Sequence, residues 1–254
     1  MKWTEKIPTG VKVAVALVCV SILIAFSEGR QGQQLCKDII IELDNAHENH
    51  YMDEADVMRL VQLSNPHIKG TAITDLDLKG IERKIKYDNH IFDAELFGDL
   101  KGNLVVNVEL RRPIARIVQN DGKDHYIAED GTVMTISEKY ASRVILLSGP
   151  SALKLVKDGN LNRSEEGKAI MEMIRFVNES PFWKAQVAQL DIAENGKVLL
   201  YPQVTGQEVE FGKPENIEEK FKKLMIFYKE ILPRKGWTRY ERVNLEYEGQ
   251  VIAE

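Results

Sequence analysis

The stretch LVVNVELRRP, residues 104–113, separates two structural units of the chain. Its first seven residues are mostly β-branched or apolar, which gives the clearest strand signal in the sequence. Pro113 then offers no backbone donor, so the chain changes character there or continues only as an edge strand. We therefore predict a domain boundary between residues 112 and 113.

The residues before this boundary, 37–112, predict a small β-α-α-β-β module. Asp53 is the candidate N-cap of the first helix, which is expected to end before Pro66. Thr74 or Asp75 is the candidate cap of the second helix. The strands are predicted over residues 36–43, 91–96 and 104–110, and the helices from about 53 to 64 and from about 75 to 87.

The residues after the boundary, 113–254, predict a mixed, mainly antiparallel β domain with two helices. The sequences NDG at 120–122 and ENG at 194–196 each lie between two strand-like runs, which is a strong hairpin signal. The turn SGP at 148–150 ends another strand. The strands are predicted over residues 114–118, 125–128, 132–136, 144–147, 187–192, 197–201, 207–211, 237–247 and 250–253.

Apolar residues at helical spacing predict the two helices of this domain over residues 162–178 and 215–232. Pro181 is expected to end the first of them, and Pro233 with Gly236 the second. An α+β fold follows, with helices packed on sheets in both units.

An apolar run, VAVALVCVSILIAF at residues 13–26, dominates the N-terminal part of the sequence. The run is 14 residues long, and the flanking residues extend it toward the roughly 20 needed for a membrane-spanning helix. Lys2, Lys6 and Lys12 precede it, so the positive-inside rule keeps the N-terminus in the cytoplasm and exports the rest. We predict a cytoplasmic tail over residues 1–10, a transmembrane signal anchor over 11–27 and a linker over 28–36.

A cleaved signal peptide is the alternative interpretation of the same run. A charged start, a 14-residue apolar stretch and the sequence AFS at 25–27 fit such a peptide as well. Both interpretations place the bulk of the chain outside the cytoplasm and differ only in whether it stays anchored.

Composition limits the kinds of function that the exported part can have. The chain has two cysteines, Cys19 and Cys36, so the folded residues beyond them are held by a core and not by disulfides. The net charge of −5 and the lack of a basic block give no support for nucleic-acid binding. This composition is typical of a bacterial envelope domain.

Catalytic signatures are weak throughout the sequence. It contains neither a Gly-x-Ser-x-Gly nucleophile motif nor a His-Glu-x-x-His zinc motif. His47 and His50 lie near Asp44 and Asp53, but no third ligand is fixed by spacing, and a solvated polar loop is the better interpretation. We expect no catalytic, cofactor or metal site. An exported envelope hydrolase remains the alternative function.

Three short motifs stand out, ELRRPIARI at 109–117, YIAEDGTV at 126–133 and RVNLEY at 242–247. Together they resemble the FtsQ/DivIB family of bacterial cell-division proteins. ELRRPIARI at 109–117 is similar to the family's junction between its POTRA module and its β domain, and YIAEDGTV at 126–133 to the turn that follows. RVNLEY at 242–247 resembles its late strand, although Asn244 and Glu246 stand where Asp and Arg are usual. The order and spacing of the motifs cover nearly the whole chain.

The resemblance implies a membrane-anchored, non-enzymatic scaffold at the division septum in the cytoplasmic (inner) membrane. It also implies contacts with other septal membrane proteins and with a small coiled-coil complex of the FtsB/DivIC and FtsL type, which adds a strand to the last strands of the β domain. A POTRA-type envelope assembly factor is a further alternative, but the sequence lacks the serial ten-residue segments of a membrane barrel. The implied partner-binding residues are Trp237, Tyr240, Arg242, Val243, Leu245, Tyr247, Gln250 and Val251.

Overall fold

The computed structural model describes residues 9–31, 35–45, 51–120 and 122–254. The chain forms two compact units, of which the first extends to residue 109 and the second contains residues 110–254. Described residues from two earlier segments, 45 with 51–52 and 89–92, belong to the second unit.

Helix α1, Thr9–Gln31, contains the apolar run. Among the residues that the structure describes, none of the helices combines the length and the apolar character required to cross a membrane. Residues 1–8 of the predicted tail lie outside the described part of the chain. The helix continues into the predicted linker, and Cys36 already belongs to the first unit, where its backbone N–H donates to Thr71 O at 2.9 Å.

The first unit contains a three-stranded sheet with the order β1-β3-β2. Strand β1 runs parallel to β3, and their pairing aligns Ile39 with Leu104. The turn between β2 and β3 is closed by Asp99, which accepts the backbone N–H of Asn103 at 2.7 Å. This hydrogen bond lowers the pKa of Asp99. The strands are β1 Ile39–Leu43, β2 Ile91–Gly98 and β3 Leu104–Leu110.

Two helices complete this unit, α2 at Glu54–Ser64 and α3 at Leu78–Ile85. Asp53 caps α2 as predicted, accepting the N–H of Asp56 at 3.0 Å in a capping box. The predicted cap of α3 at Thr74 or Asp75 is wrong. Those residues end a short 3₁₀ turn, and Asp77 caps α3 by accepting the N–H of Gly80 at 2.9 Å.

The second unit contains a nine-stranded sheet with the order β12-β11-β10-β9-β8-β7-β4-β5-β6 in the described residues. The predicted hairpins form, with β4 antiparallel to β5 and β8 antiparallel to β9. Residue 121, in the turn of the first hairpin, is not among the described residues. Parallel pairs join β4 to β7, β7 to β8 and β10 to β11. The strands are β4 Pro113–Ile117, β5 His125–Ala128, β6 Val133–Thr135, β7 Ile145–Ser148, β8 Val187–Ile192, β9 Val198–Pro202, β10 Glu208–Gly212, β11 Arg242–Asn244 and β12 Ile252–Ala253.

Strand β4 lies inside this sheet, so the expectation that the chain continues from Pro113 only as an edge strand is wrong. The expected change of character is found, since β3 of the first sheet ends at Leu110 and β4 of the second sheet begins at Pro113. Strand β4 pairs with β5 on one side and β7 on the other. Pro113 is tolerated because it is the first residue of the strand and the register shifts between it and Ala115.

The prediction of two helices in the second unit is also wrong, because the described residues contain additional ones. Pro150 and Pro181 each begin a helix, where the missing N–H and fixed φ of proline are favourable. The predicted helix 215–232 is divided by a π-helical segment, Phe227–Ile231. The helices are α4 Pro150–Asp158, α5 Glu165–Glu179, α6 Pro181–Gln186, α7 Ile217–Ile226 and α8 Leu232–Lys235.

The core of the second unit lies between these helices and one face of the sheet. Trp183 of α6 packs on Phe221 of α7 with ring centroids 4.7 Å apart, and Phe211 of β10 packs on Phe221 at 5.2 Å. The same core includes Val243 and Leu245, so the C-terminal strands are built into the hydrophobic core.

Candidate partner-binding surface

Strand β12 is the terminal strand at one side of the nine-stranded sheet. Its inner side is paired, since Arg242 N–H donates to Glu254 O at 3.0 Å and Glu254 N–H donates to Arg242 O at 3.1 Å. Backbone groups alternate in direction along an antiparallel strand. The N–H and C=O of Ala253 therefore point away from β11, toward the open side of β12.

Strand β11, which carries most of the predicted partner-binding residues, is an interior strand. It pairs with β10 in parallel and with β12 in antiparallel orientation. Its backbone is thus occupied on both sides, and among the described strands at this end of the sheet β12 is the one with backbone groups free for a further strand.

The predicted binding residues divide into a buried and an exposed group. Val243 and Leu245 are fully buried in the core. Tyr240 and Val251 are partly buried and pack against that core, with the Tyr240 ring 5.6 Å from the ring of Phe227. The residues with exposed side chains are Trp237, Arg242, Tyr247 and Gln250.

Charged side chains connect β10 and β11 on the sheet face that points away from the core. Arg242 Nε lies 3.4 Å from Glu210 Oε1, and the guanidinium lies 4.0 Å from Glu208. The Asn244 amide donates to the same Glu210 carboxylate. Arg242 and Asn244 are thus both held by Glu210, across the strand pair.

Glu246, the other departure from the family pattern, has its own cationic partner. Lys197 Nζ lies 3.0 Å from Glu246 Oε1 and 2.8 Å from Oε2. The hydrogen bond from Lys197 to Glu246 raises the pKa of the lysine, and the attraction of the opposite charges adds to this effect. The Glu246 N–H also donates to Asn244 Oδ1 at 2.8 Å, which shapes the turn after β11.

The open face near this edge combines acidic and apolar side chains. Cross-strand pairing aligns Asp191 with Leu199, Leu199 with Glu210, and Glu210 with Asn244. The row continues to Ile252, which pairs with Asn244 and is 43% exposed. The exposed Ile252 side chain beside the open edge is available to contact the side chains of an added strand.

Sequence reasoning missed two side chains that organise this region. Lys223 of α7 donates to the carbonyls of Leu245 at 2.9 Å and Tyr247 at 2.6 Å. Gln207 is buried and donates to Trp237 O at 3.2 Å. No motif indicates either residue. A lysine on an amphipathic helix ordinarily lies on the solvent-exposed face, and nothing in the local pattern marks Gln207 as buried.

The histidines that could have formed a metal site do not form one in the described part of the chain. His47 and His50 lie outside the described residues. Among the residues that are described, no three metal-ligating side chains cluster. Cys36 is buried, Cys19 is exposed, and both are free thiols.

Two of the motifs that carry the resemblance meet within the second unit. Arg111 Nε donates to Asp130 Oδ2 at 2.9 Å, and its guanidinium also donates to Asn89 O at 3.1 Å and to Ile91 O. Burial acts to raise the pKa of Asp130, but the hydrogen bonds from Arg111 and Thr132 outweigh it, so the pKa is lowered. The ion pair joins the ELRRP junction to the EDG turn.

Comparison with protein families agrees with this arrangement. A model described as "FtsQ/DivIB, C-terminal related" matches residues 112–254, and a model of a POTRA-like domain matches residues 34–109. No curated protein matches the chain. The first model covers more than half of the sequence and the second unit's whole sheet. The chain therefore belongs to the FtsQ/DivIB family.

Proposed function

We propose that this protein is a non-enzymatic, membrane-anchored scaffold that recruits and regulates proteins of the division septum. Membership of the FtsQ/DivIB family and the POTRA-like first unit support a role in cell division. The single observation that carries the binding role is the terminal strand β12, whose outer backbone groups are available at the end of a well-packed sheet.

The proposed partner is a small coiled-coil membrane complex of the FtsB/DivIC and FtsL type, which adds a strand along β12. Main-chain hydrogen bonds then provide affinity, and side chains beside the edge provide specificity. Tyr247, Gln250 and Ile252 are the proposed contacts, with Trp237 and Arg242 beside them. Val243 and Leu245 act indirectly, by fixing β11 in the core.

The proposed location is the cytoplasmic membrane at the septum. The apolar run in α1 would anchor the chain, with the POTRA-like unit and the β domain on the extracytoplasmic side. Other septal membrane proteins are the proposed partners of the POTRA-like unit.

The sharpest test removes one outward backbone donor from β12. In Ala253→Pro the lost N–H faces the open edge, so pairing with β11 is kept, and proline is tolerated on an edge strand. Binding of the full-length chain, in a lipid nanodisc, to the extracytoplasmic segment of the FtsB/DivIC-type partner is measured by calorimetry. We expect a loss of about tenfold or more in affinity.

Leu245→Asp is the matched perturbation of the core. Because this side chain is fully buried, the substitution should unfold the β domain and abolish binding together with the sheet signal in circular dichroism. Ala253→Pro should leave that signal unchanged. Normal affinity in Ala253→Pro would show that the partner does not add a strand at β12.

A further inference from the structure

We infer that Lys223 is a positioning residue for partner binding, because it fixes the turn that holds the terminal strand β12 in place. This inference rests on the proposed function, in which β12 receives the partner's strand. Lys223 does not touch β12 itself. It acts on residues 245–247, which follow β11 directly.

The first step is the geometry of the Lys223 ammonium group. It donates to Leu245 O at 2.9 Å and to Tyr247 O at 2.6 Å. A charged donor gives stronger hydrogen bonds than a neutral one. Its helix is anchored in the core through Phe221 and Leu224, so the ammonium group extends from a rigid element.

A second contact holds the same turn from the sheet. Glu246, between the two carbonyls that Lys223 binds, is paired with Lys197 of the β8–β9 turn. Its side chain lies over Gly212, where a Cβ would come within 2.6 Å of Glu246 Cγ. Gly212 also has φ 74°, which favours glycine. Lys223 of α7 and Lys197 of the β8–β9 turn therefore both contact residues 245–247, and Gly212 leaves room for the Glu246 side chain between them.

The parallel pairing of β10 and β11 explains why α7 can do this. Parallel strands end at the same side of a sheet, and α7 follows β10 directly. Lys220, one turn before Lys223, donates to Lys213 O at 2.7 Å, just after β10. The two lysines thus hold the loops that follow the two parallel strands, and Lys223 is the one that holds the loop leading to β12.

Strand β12 depends on this loop because it is short and lies at the end of the sheet. It has two residues, and within the described part of the chain its pairing is with β11, extended by the bonds between Glu254 and Arg242. The connecting residues 246–250 are exposed, and Gly249 has φ 66°. A strand that is already held in its bound geometry costs less to order when a partner adds to it. Loss of the Lys223 contacts should therefore weaken binding without removing any contact to the partner.

The test compares Lys223→Met, Lys223→Arg and Lys222→Met in the full-length chain in lipid nanodiscs. Methionine keeps much of the apolar stem and removes the donor, whereas arginine keeps a cationic donor. Lys222 is its exposed neighbour on the same helix and serves as the matched control. The readouts are hydrogen exchange of the peptide covering 248–254, affinity for the partner segment, and the unfolding midpoint of the β domain.

In Lys223→Met we expect about tenfold faster exchange in that peptide and about tenfold weaker binding, with little change in the midpoint. Lys223→Arg should restore most of the exchange protection and most of the affinity, and Lys222→Met should match the original protein in both. Unchanged exchange and unchanged affinity in Lys223→Met would overturn the inference. So would a loss of affinity that merely follows a lowered midpoint.

One outcome separates this inference from the proposed function. Faster exchange with unchanged affinity would mean that Lys223 does position β12 but that the partner binds elsewhere. The positioning of the strand would then stand, and the strand-addition proposal would fail.

Discussion

The hydroxyl of Tyr228 lies in the core of the second unit, where it makes no hydrogen bond of normal geometry within the described part of the chain. The Thr205 hydroxyl interacts with it only weakly, because its lowering effect on the Tyr228 pKa is smaller than the raising effect of burial. Tyr228 is 4% exposed. We expect Tyr228→Phe to raise the free energy of unfolding by about 1 kcal/mol, because it removes an unsatisfied buried polar group. Denaturant unfolding measures the change.

Tyr126→Phe is the matched control, since Tyr126 is 3% exposed but its hydroxyl accepts the Ser142 N–H at 2.9 Å. That variant should lose about 1 kcal/mol, because it leaves the amide unpaired. Removing a tyrosine hydroxyl is thus expected to raise the free energy of unfolding at residue 228 and to lower it by a similar amount at residue 126. A loss of stability in Tyr228→Phe would show that its hydroxyl does have a partner.

Tyr228 also predicts how stability changes at alkaline pH. Burial raises its pKa from 10.0 to about 12, against a smaller lowering effect of Thr205. The unfolded state therefore releases this proton first, and stability falls as pH rises through the range from 10 to about 12. In Tyr228→Phe, that part of the alkaline loss should disappear from the unfolding curves. An unchanged alkaline loss would contradict the assignment.

The lowered pKa of Asp130 predicts a loss of stability at acid pH, whereas the raised pKa of Tyr228 predicts one at alkaline pH. The pKa of Asp130 is lowered below 3.8 in the folded state, so its contribution is present above the unfolded pKa and is lost as pH falls through the folded one. Asp130→Asn should cost about 1–2 kcal/mol at neutral pH, because it weakens the bond to Arg111, and little in strong acid. Glu129→Gln, at the exposed neighbouring residue, should change little at either pH.

At the scale of helices and strands, local signals determined what the sequence could predict. Strand β3 has the predicted bounds, and both hairpins form, because each depends on a turn sequence and its immediate neighbours. Helices α4 and α6 were missed because Pro150 and Pro181 were interpreted as stops. Proline disfavours the helix interior but favours the first helical residue, and only the packing that follows distinguishes the two.

The helix cap of α3 gives a prediction at the same scale. Asp77→Ala should destabilise the first unit by about 1 kcal/mol, because the Gly80 N–H loses its acceptor. Asp75→Ala, in the preceding 3₁₀ turn, should have a much smaller effect. Denaturant unfolding of the two variants compares them directly. An equal loss in both would mean that the N-terminus of α3 is not capped by Asp77 alone.

The candidate site was predicted only in part, for a reason of sheet topology. The sequence predicts a candidate site on the last strands, but strand order depends on pairings between distant residues. The parallel pair β10–β11 places β11 inside the sheet and leaves β12 at the edge. The same pairing brings α7 and Lys223 to the turn after β11, which no local pattern could indicate.

At the scale of the whole molecule, the proposal requires that the two units be held at the membrane by the apolar run at residues 13–26. We expect a fluorescent protein fused to the N-terminus to form a mid-cell band as cells constrict. Val20→Arg should abolish this band, because an arginine near the centre of a span costs about 2.5 to 3.5 kcal/mol and this run is short. Gln31→Arg, outside the run, should keep the band.

An even peripheral signal would argue for a general envelope protein. Loss of the tag with release of the rest of the chain would show instead that the run is a cleaved signal peptide, so that any scaffold function would have to operate without an anchor.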